Sequence, residues 1–174
     1  MTMAPRVRKL ALTAHVVTSI SWLGAVLVFL ALTVVGLISP DPLTVRGAYV
    51  VMEPVAWSVL VPLAFTSLLT GLVVSLGSTW GLFRHYWVVF KLLINIYSGV
   101  FLLIFMESFR EITAMAADPR SDLEMVRETG TGFVRFHSLL ALVMLLAATV
   151  LAIYKPRGIT RYGWRKQRSR RRYA

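Results

Sequence analysis

Several polar side chains of the kind that bind ligands lie within long apolar stretches of this sequence. His15 lies six residues beyond a basic N-terminal stretch, about 9 Å along a helix. Lys91 and Asn95 lie one helical turn apart in a later stretch, at a similar expected depth. Ionisable groups inside a membrane are costly, so their presence indicates function or a specific partner. We therefore expect a polar cluster of His15, Lys91 and Asn95, with Arg84 and His85 at its mouth.

The alternative for Lys91 is that its long side chain reaches the membrane surface and forms no cluster. Both interpretations stay open on the sequence alone. If the cluster forms, its cationic and neutral donors lie near Trp22, Trp80 and Trp87. This combination suits the anionic part of an amphiphile, either a haem or porphyrin propionate or a lipid headgroup.

A second group of ionisable residues is expected at the opposite membrane surface. Glu53, Glu107 and His137 are candidate ligands for a divalent metal ion, because carboxylate and imidazole suit several such ions. Ion pairing at the level of the lipid headgroups, involving Glu111 and Arg135 as well, is the interpretation that the sequence favours.

Two histidines on membrane helices also suggest haem b as a cofactor. His15 and His137 lie near opposite ends of their helices, roughly 18 Å apart along the bundle axis, which excludes one iron bound by both. Haem would then require His15 with His85 or another ligand. A hydrogen-bonded structural role is the more common one for a lone helical histidine, and it is favoured here.

Four apolar blocks must position these residues. They cover about 10–38, 54–77, 86–106 and 133–154, and each is long enough to cross ~30 Å of hydrocarbon as a helix. The chain of 174 residues is 57% hydrophobic and has no cysteine, which excludes disulfides, iron–sulfur clusters and a thiol nucleophile. The sequence predicts an all-α fold, a four-helix transmembrane bundle with neighbouring helices antiparallel.

The charges predict the orientation of the bundle. The N-terminal stretch, the connection between the second and third blocks, and the C-terminal stretch together hold 14 lysines and arginines and no acid, when Lys91 just inside the third block is included. The other side holds five arginines and all eight acids. Cations concentrate on the cytoplasmic side of membrane proteins, so we expect both termini in the cytoplasm.

The blocks have helical extensions and a basic tail. We expect helices over 44–53 and 107–117. We also expect a capping box, in which the Ser121 side chain caps the last helix and the Glu124 side chain bonds the Ser121 backbone amide. Gly130 and Gly132 are candidate kink positions. The division is a membrane domain over 1–156 and a tail over 157–174. The basic tail favours contact with anionic lipid over nucleic acid.

The sequence resembles uncharacterised four-span integral membrane proteins of actinobacterial type, on the following motifs. They are His15-x3-Ser19-x2-Trp22-x-Gly24, Leu69-Thr70-Gly71, and the stretch Trp80-Gly81-Leu82-Phe83-Arg84-His85-Tyr86-Trp87-x3-Lys91-Leu92. The resemblance extends to about Pro156. It implies a multi-pass protein of the bacterial cytoplasmic membrane.

A looser likeness extends to CopD-like domains and HemJ-type protoporphyrinogen oxidases. For the HemJ type it implies a porphyrin-linked oxidoreductase whose functional histidine and lysine correspond to His15 and Lys91. This chain has Val28-Phe29-Leu30-Ala31-Leu32 where that type has an aromatic-Leu-Pro-Arg stretch.

Three functional hypotheses follow. The leading one is a non-enzymatic membrane protein that binds a headgroup or ligand through the polar cluster, or serves as a partner subunit or homo-oligomer. The second is a haem- or porphyrin-linked redox protein that uses His15 and Lys91. The third is a copper transport module, against which the missing cysteines and the scattered methionines count.

Overall fold

The structure is a computed structural model that describes residues 3–78 and 80–172, and their side chains except those of residues 133 and 169–172. Helices account for most of it. They are α1 (Pro5–Ile38), α2 (Pro42–Val50), α3 (Met52–Val55), a π-helical turn (Ala56–Leu60), α4 (Val61–Gly77), α5 (Tyr86–Ile104), α6 (Met106–Ala117), α7 (Leu123–Tyr154) and α8 (Arg161–Arg172). The described ranges contain no strand, apart from an isolated pairing of His85 with Ile159.

The predicted all-α, four-helix bundle is confirmed. Within the described ranges, four helical segments are long and apolar enough to cross a membrane: Pro5–Ile38, Pro42–Gly77, Tyr86–Ala117 and Leu123–Tyr154, with mean hydropathies of 2.2 to 2.4. In the bundle, α1 packs against α4 and α7, and α5 packs against the same two helices. Helices α1 and α5 therefore lie at opposite corners of a four-sided arrangement.

We call the two ends of the bundle the basic end and the acidic end. The basic end holds the start of α1, the α4–α5 connection and the segment after α7. The acidic end holds the α1–α2 and α6–α7 connections. The predicted helical extensions are confirmed as α2 and α6, which pack on each other at the acidic end.

The acidic end is tightly packed around Tyr49, which is completely buried. Its ring lies between two glycines: a Cβ on Gly36 would come within 2.6 Å of the Tyr49 Cζ atom, and one on Gly130 within 2.7 Å. The Tyr49 hydroxyl hydrogen-bonds the Thr131 hydroxyl at 2.8 Å. The close approach of α1, α2 and α7 therefore depends on glycine at both positions.

Two arginines at the acidic end bind the last carbonyl groups of helices. Arg46 donates to the carbonyls of Ala116, Asp118 and Ser121 at 3.2, 2.8 and 2.6 Å. Arg127 donates in the same way to Gly36, Leu37 and Ser39, at 3.4, 2.8 and 2.6 Å. A helix C-terminus carries partial negative charge and unpaired carbonyls, so both guanidinium groups stabilise the ends where they lie.

One local prediction, the N-cap of the last helix, was wrong. The N-cap of α7 is Asp122, whose carboxylate accepts from the Glu124 amide at 3.3 Å, and not Ser121. The Ser121 carbonyl binds Arg46 instead. Helix α7 also runs as one element through Gly130 and Gly132, and Gly130 serves close packing.

A π-helical turn interrupts the second membrane segment where the sequence predicts a regular helix. The amide of Val61 bonds the carbonyl of Ala56 there. Pro62 has no N–H to bond the Ser58 carbonyl, so the regular hydrogen-bond ladder cannot continue at that position.

The segment after α7 folds back onto the α4–α5 connection. Thr160 donates from its amide to the Arg84 carbonyl at 2.9 Å and from its hydroxyl to the Phe83 carbonyl at 2.5 Å. Tyr86 donates to the Gly158 carbonyl at 3.3 Å. The start of the 157–174 tail is therefore attached to the membrane bundle.

Gly130→Ala should destabilise the protein by about 1–3 kcal/mol, because the added methyl group overlaps a ring that cannot move. Gly132→Ala is the matched control, since nothing lies within 4 Å of a Cβ there. Thermal unfolding of both variants in the same detergent measures the effect. Equal midpoints for the two variants would contradict the packing described here.

Candidate functional site

A cavity of about 600 Å³ opens among the four long helices at the basic end of the bundle. Along α1 it extends from Arg8 to Ile20, and it reaches Lys155 after α7. This volume lies within the range of about 300–1,000 Å³ typical of small-molecule sites. All four long helices contribute walls to the cavity.

A layer of hydrogen-bonded polar residues lies deep in this cavity. The hydroxyls of Ser19 and Ser67 are 2.9 Å apart, and Ser67 donates to the Asn95 amide oxygen at 3.4 Å. Asn95 in turn donates to the Lys91 carbonyl at 3.4 Å. These bonds connect α1, α4 and α5 across the bundle, which is the usual arrangement for small polar residues on membrane helices.

His15 lines the cavity beside this layer. Its Nδ1 atom is 3.2 Å from the Ser67 carbonyl and 3.2 Å from the Thr70 hydroxyl. A carbonyl can only accept, and the Thr70 hydrogen is directed to the Thr66 carbonyl at 2.6 Å, so Nδ1 must be the donor. Neutral His15 therefore carries its lone pair on Nε2, where it can accept a hydrogen bond or bind a metal.

Helix α4 leaves room for the imidazole ring at Gly71. A Cβ there would lie 2.9 Å from the His15 Cε1 atom. The small residues Ser67, Gly71 and Ser75 recur at every fourth position of α4, and all three line the cavity.

Among residues 3–78 and 80–172, four cations line this cavity and no carboxylate does. They are Arg8, Lys9, Lys91 and Lys155. Lys91 is partly buried, whereas the other three are exposed at the mouth. Lys91 and Lys155 both line the recess, so it holds like charges from α5 and from the segment after α7. The cavity is therefore an electropositive recess with apolar walls.

Two tryptophans form one side of the mouth. Trp87 is only 9% exposed, and its indole N–H has no hydrogen-bond partner. Trp80 meets it edge to face, with ring centroids 5.6 Å apart, and the Lys155 ammonium lies 5.9 Å from the Trp80 ring centroid. The Trp87 N–H is itself buried, so Trp87 contributes its ring, and not a donor, to the wall of the cavity.

The structure brings the predicted residues His15, Lys91 and Asn95 to one cavity. Arg84 and His85 do not line it. His85 binds the Trp80 carbonyl at 2.9 Å through Nδ1, and the Arg84 carbonyl receives Thr160. These two residues shape the α4–α5 connection, and the structure does not place His85 beside His15 as a second haem ligand.

The predicted metal ligands at the acidic end lie in separate environments. His137 packs against the rings of Phe101, Phe105 and Phe136, at centroid distances of 5.3, 3.9 and 5.3 Å. Glu107 forms an exposed ion pair with Arg110 at 3.4 Å, and Glu53 is half-buried on α3. Over residues 3–78 and 80–172, no three histidine, cysteine or acidic side chains form a group that could hold a metal ion.

Sequence reasoning missed several parts of the cavity. From the sequence, the cations Arg8, Lys9 and Lys155 indicate only the orientation of the bundle. The small residues Ser67, Gly71 and Ser75 are typical of an ordinary packing face. One signal could have indicated the cavity. The small residues lie on the second membrane segment at a depth similar to that of His15 on the first. The unpaired N–H of Trp87 has no signature in sequence.

The chain matches no protein-family model, no curated protein and no solved structure. The resemblance to actinobacterial four-span proteins, CopD-like domains and HemJ-type oxidases therefore stays a prediction based on the motif residues alone.

Proposed function

We propose that this chain is a small, non-enzymatic, multi-pass protein of a bacterial cytoplasmic membrane that binds an anionic amphiphile in its basic-end cavity. The single observation that carries the proposal is the lining of that cavity. Four cations and no carboxylate surround a recess whose walls are mostly apolar. An anionic head would be held by the cations, and an apolar chain would contact the walls.

The proposed orientation places the basic end and both termini in the cytoplasm. The support is the distribution of charge, with 14 cations and no acid at that end when Lys91, in the first part of α5, is included. Helix α8 adds to this, because its Tyr162 and Trp164 are exposed beside arginines and lysines. Such a helix suits the surface of an anionic bilayer, where each cation contributes about 1 kcal/mol.

A cysteine-labelling experiment tests this orientation, because the natural chain has no cysteine. Asp118→Cys should react with a membrane-impermeant maleimide in intact cells, since it lies in the α6–α7 connection. Arg157→Cys should react only after the membrane is permeabilised. The reverse pattern, or labelling of both in intact cells, would contradict the orientation.

Tryptophan fluorescence tests ligand binding, because Trp80 and Trp87 line the cavity. A 2-bromo fatty acid, whose bromine lies next to the head, should quench the full chain in maltoside micelles with saturation, and the 2-bromo alcohol of equal length should not. Lys91→Met should weaken binding of the acid by about tenfold, since it removes one charge at similar length. Arg157→Gln is the matched control, because Arg157 is an exposed cation of the same end that does not line the cavity.

Equal, unsaturable quenching by the acid and the alcohol would show partition into the micelle alone. That result, or an unchanged affinity of Lys91→Met, would overturn the proposed binding function.

A haem- or porphyrin-linked function is the second candidate, and the state of His15 favours it. Its Nε2 lone pair is available for iron, and the four cations suit propionates. Among the residues that line the cavity, His15 is the only imidazole, so any second iron ligand would be of another type. A Soret band that is lost in His15→Ala would favour this candidate over the amphiphile.

The remaining alternatives have less support. No contact in the described part of the chain favours a copper transport module, and the partner-subunit and homo-oligomer hypotheses stay predictions.

A further inference from the structure

We propose that the head of the amphiphile is a phosphate monoester or a diphosphate, which carries about two or more negative charges near neutral pH. This inference rests on the proposed function, because it specifies the chemistry of the ligand that the same cavity binds.

The first argument is the balance of charge in the cavity. Among the residues that the structure describes, four cations and no carboxylate line it, so like charges share one recess and repel each other. A carboxylate head would bring one negative charge to four positive ones. A phosphate monoester brings close to two, so it would offset more of this repulsion in the partly dehydrated interior.

The second argument is the number of donors. Arg8 presents a planar guanidinium group, and the three lysines present ammonium groups, all of which bind phosphate oxygens well. A phosphate monoester has three terminal oxygens, whereas a carboxylate has two. The larger set of acceptors fits the larger set of donors.

The third argument is that the head must carry an apolar chain. Leucines and valines line the cavity between the cations and the deep serine layer, namely Leu12, Val16, Leu68, Leu72, Val88, Leu92 and Leu145. From Arg8 to Ser19 the cavity follows α1 for eleven residues, about 16 Å. Inorganic phosphate alone would leave these walls without a partner.

The experiment compares heads on one dodecyl chain with the full protein in maltoside micelles. The probes are dodecyl phosphate, its monomethyl ester, dodecanoate, and inorganic phosphate and pyrophosphate without a chain. The concentration dependence of the unfolding temperature gives each apparent affinity. Dodecyl phosphate should bind about tenfold more tightly than the ester or dodecanoate, and the inorganic ions should give no shift at matched concentration.

The ratio of phosphate to ester affinity within each variant isolates the role of the head group from any change in stability. Lys91→Met should reduce that ratio toward one. Arg157→Gln should keep the ratio of the natural chain.

Each contrary outcome has a distinct meaning. Equal affinities for the three amphiphiles, with dependence on Lys91, would keep the proposed function and overturn the phosphate head. Equal binding of inorganic phosphate or pyrophosphate would identify the free ion as the ligand and overturn the amphiphile. No binding by any probe would overturn both.

Discussion

Polar groups inside a bilayer must find their hydrogen-bond partners within the protein, and this requirement determines where the polar residues of the chain lie. Many are satisfied by their own helix: Thr33 and Thr149 each donate to the carbonyl four residues earlier. Ser19, Ser67 and Asn95 instead bond across helices. In the part of the chain that the structure describes, two buried side-chain atoms lack a partner, on Trp87 and Ser98, and both residues line cavities.

The two ends of the bundle differ because their facing side chains differ in size. Large residues such as Phe29, Tyr49 and Phe109 fill the space at the acidic end, where glycines allow the helices to approach. At the basic end, α4 and α7 present small residues, among them Gly71, Ser75 and Ala148. Small residues often bring membrane helices together, but here they leave a recess. The cations that surround its mouth then make that recess electropositive.

The sequence was sufficient to predict the helices and to predict part of the site. Apolar length predicts the four spans, and helical spacing predicts α2 and α6. Equal depth from the helix ends correctly indicated that His15, Lys91 and Asn95 could line one space. Depth does not give the rotation of a helix, however, and Arg84 and His85 lie outside the cavity although they are close to it in sequence.

Other features depend on contacts that a linear pattern does not contain. Ser121 and Asp122 are both good N-caps, and the choice between them follows from Arg46, which binds the Ser121 carbonyl from a distant helix. The position of Lys155 over Trp80 likewise depends on how the chain turns after α7. The cavity itself arises from four helices together, so no single segment predicts it.

The central claim is that the basic half of the bundle contains a recess that admits anions as far as Ser19. The most direct measurement is the reaction of Ser19→Cys, in open membrane fragments, with anionic and cationic methanethiosulfonate reagents. Ser21→Cys is its control. Ser21 is exposed on the outer surface of the same membrane helix, where water-soluble reagents do not reach, and it does not line the recess. The account predicts that Ser19→Cys reacts, faster with the anionic reagent, and that Ser21→Cys does not. Equal reaction at both positions, or an inert Ser19→Cys, would contradict it.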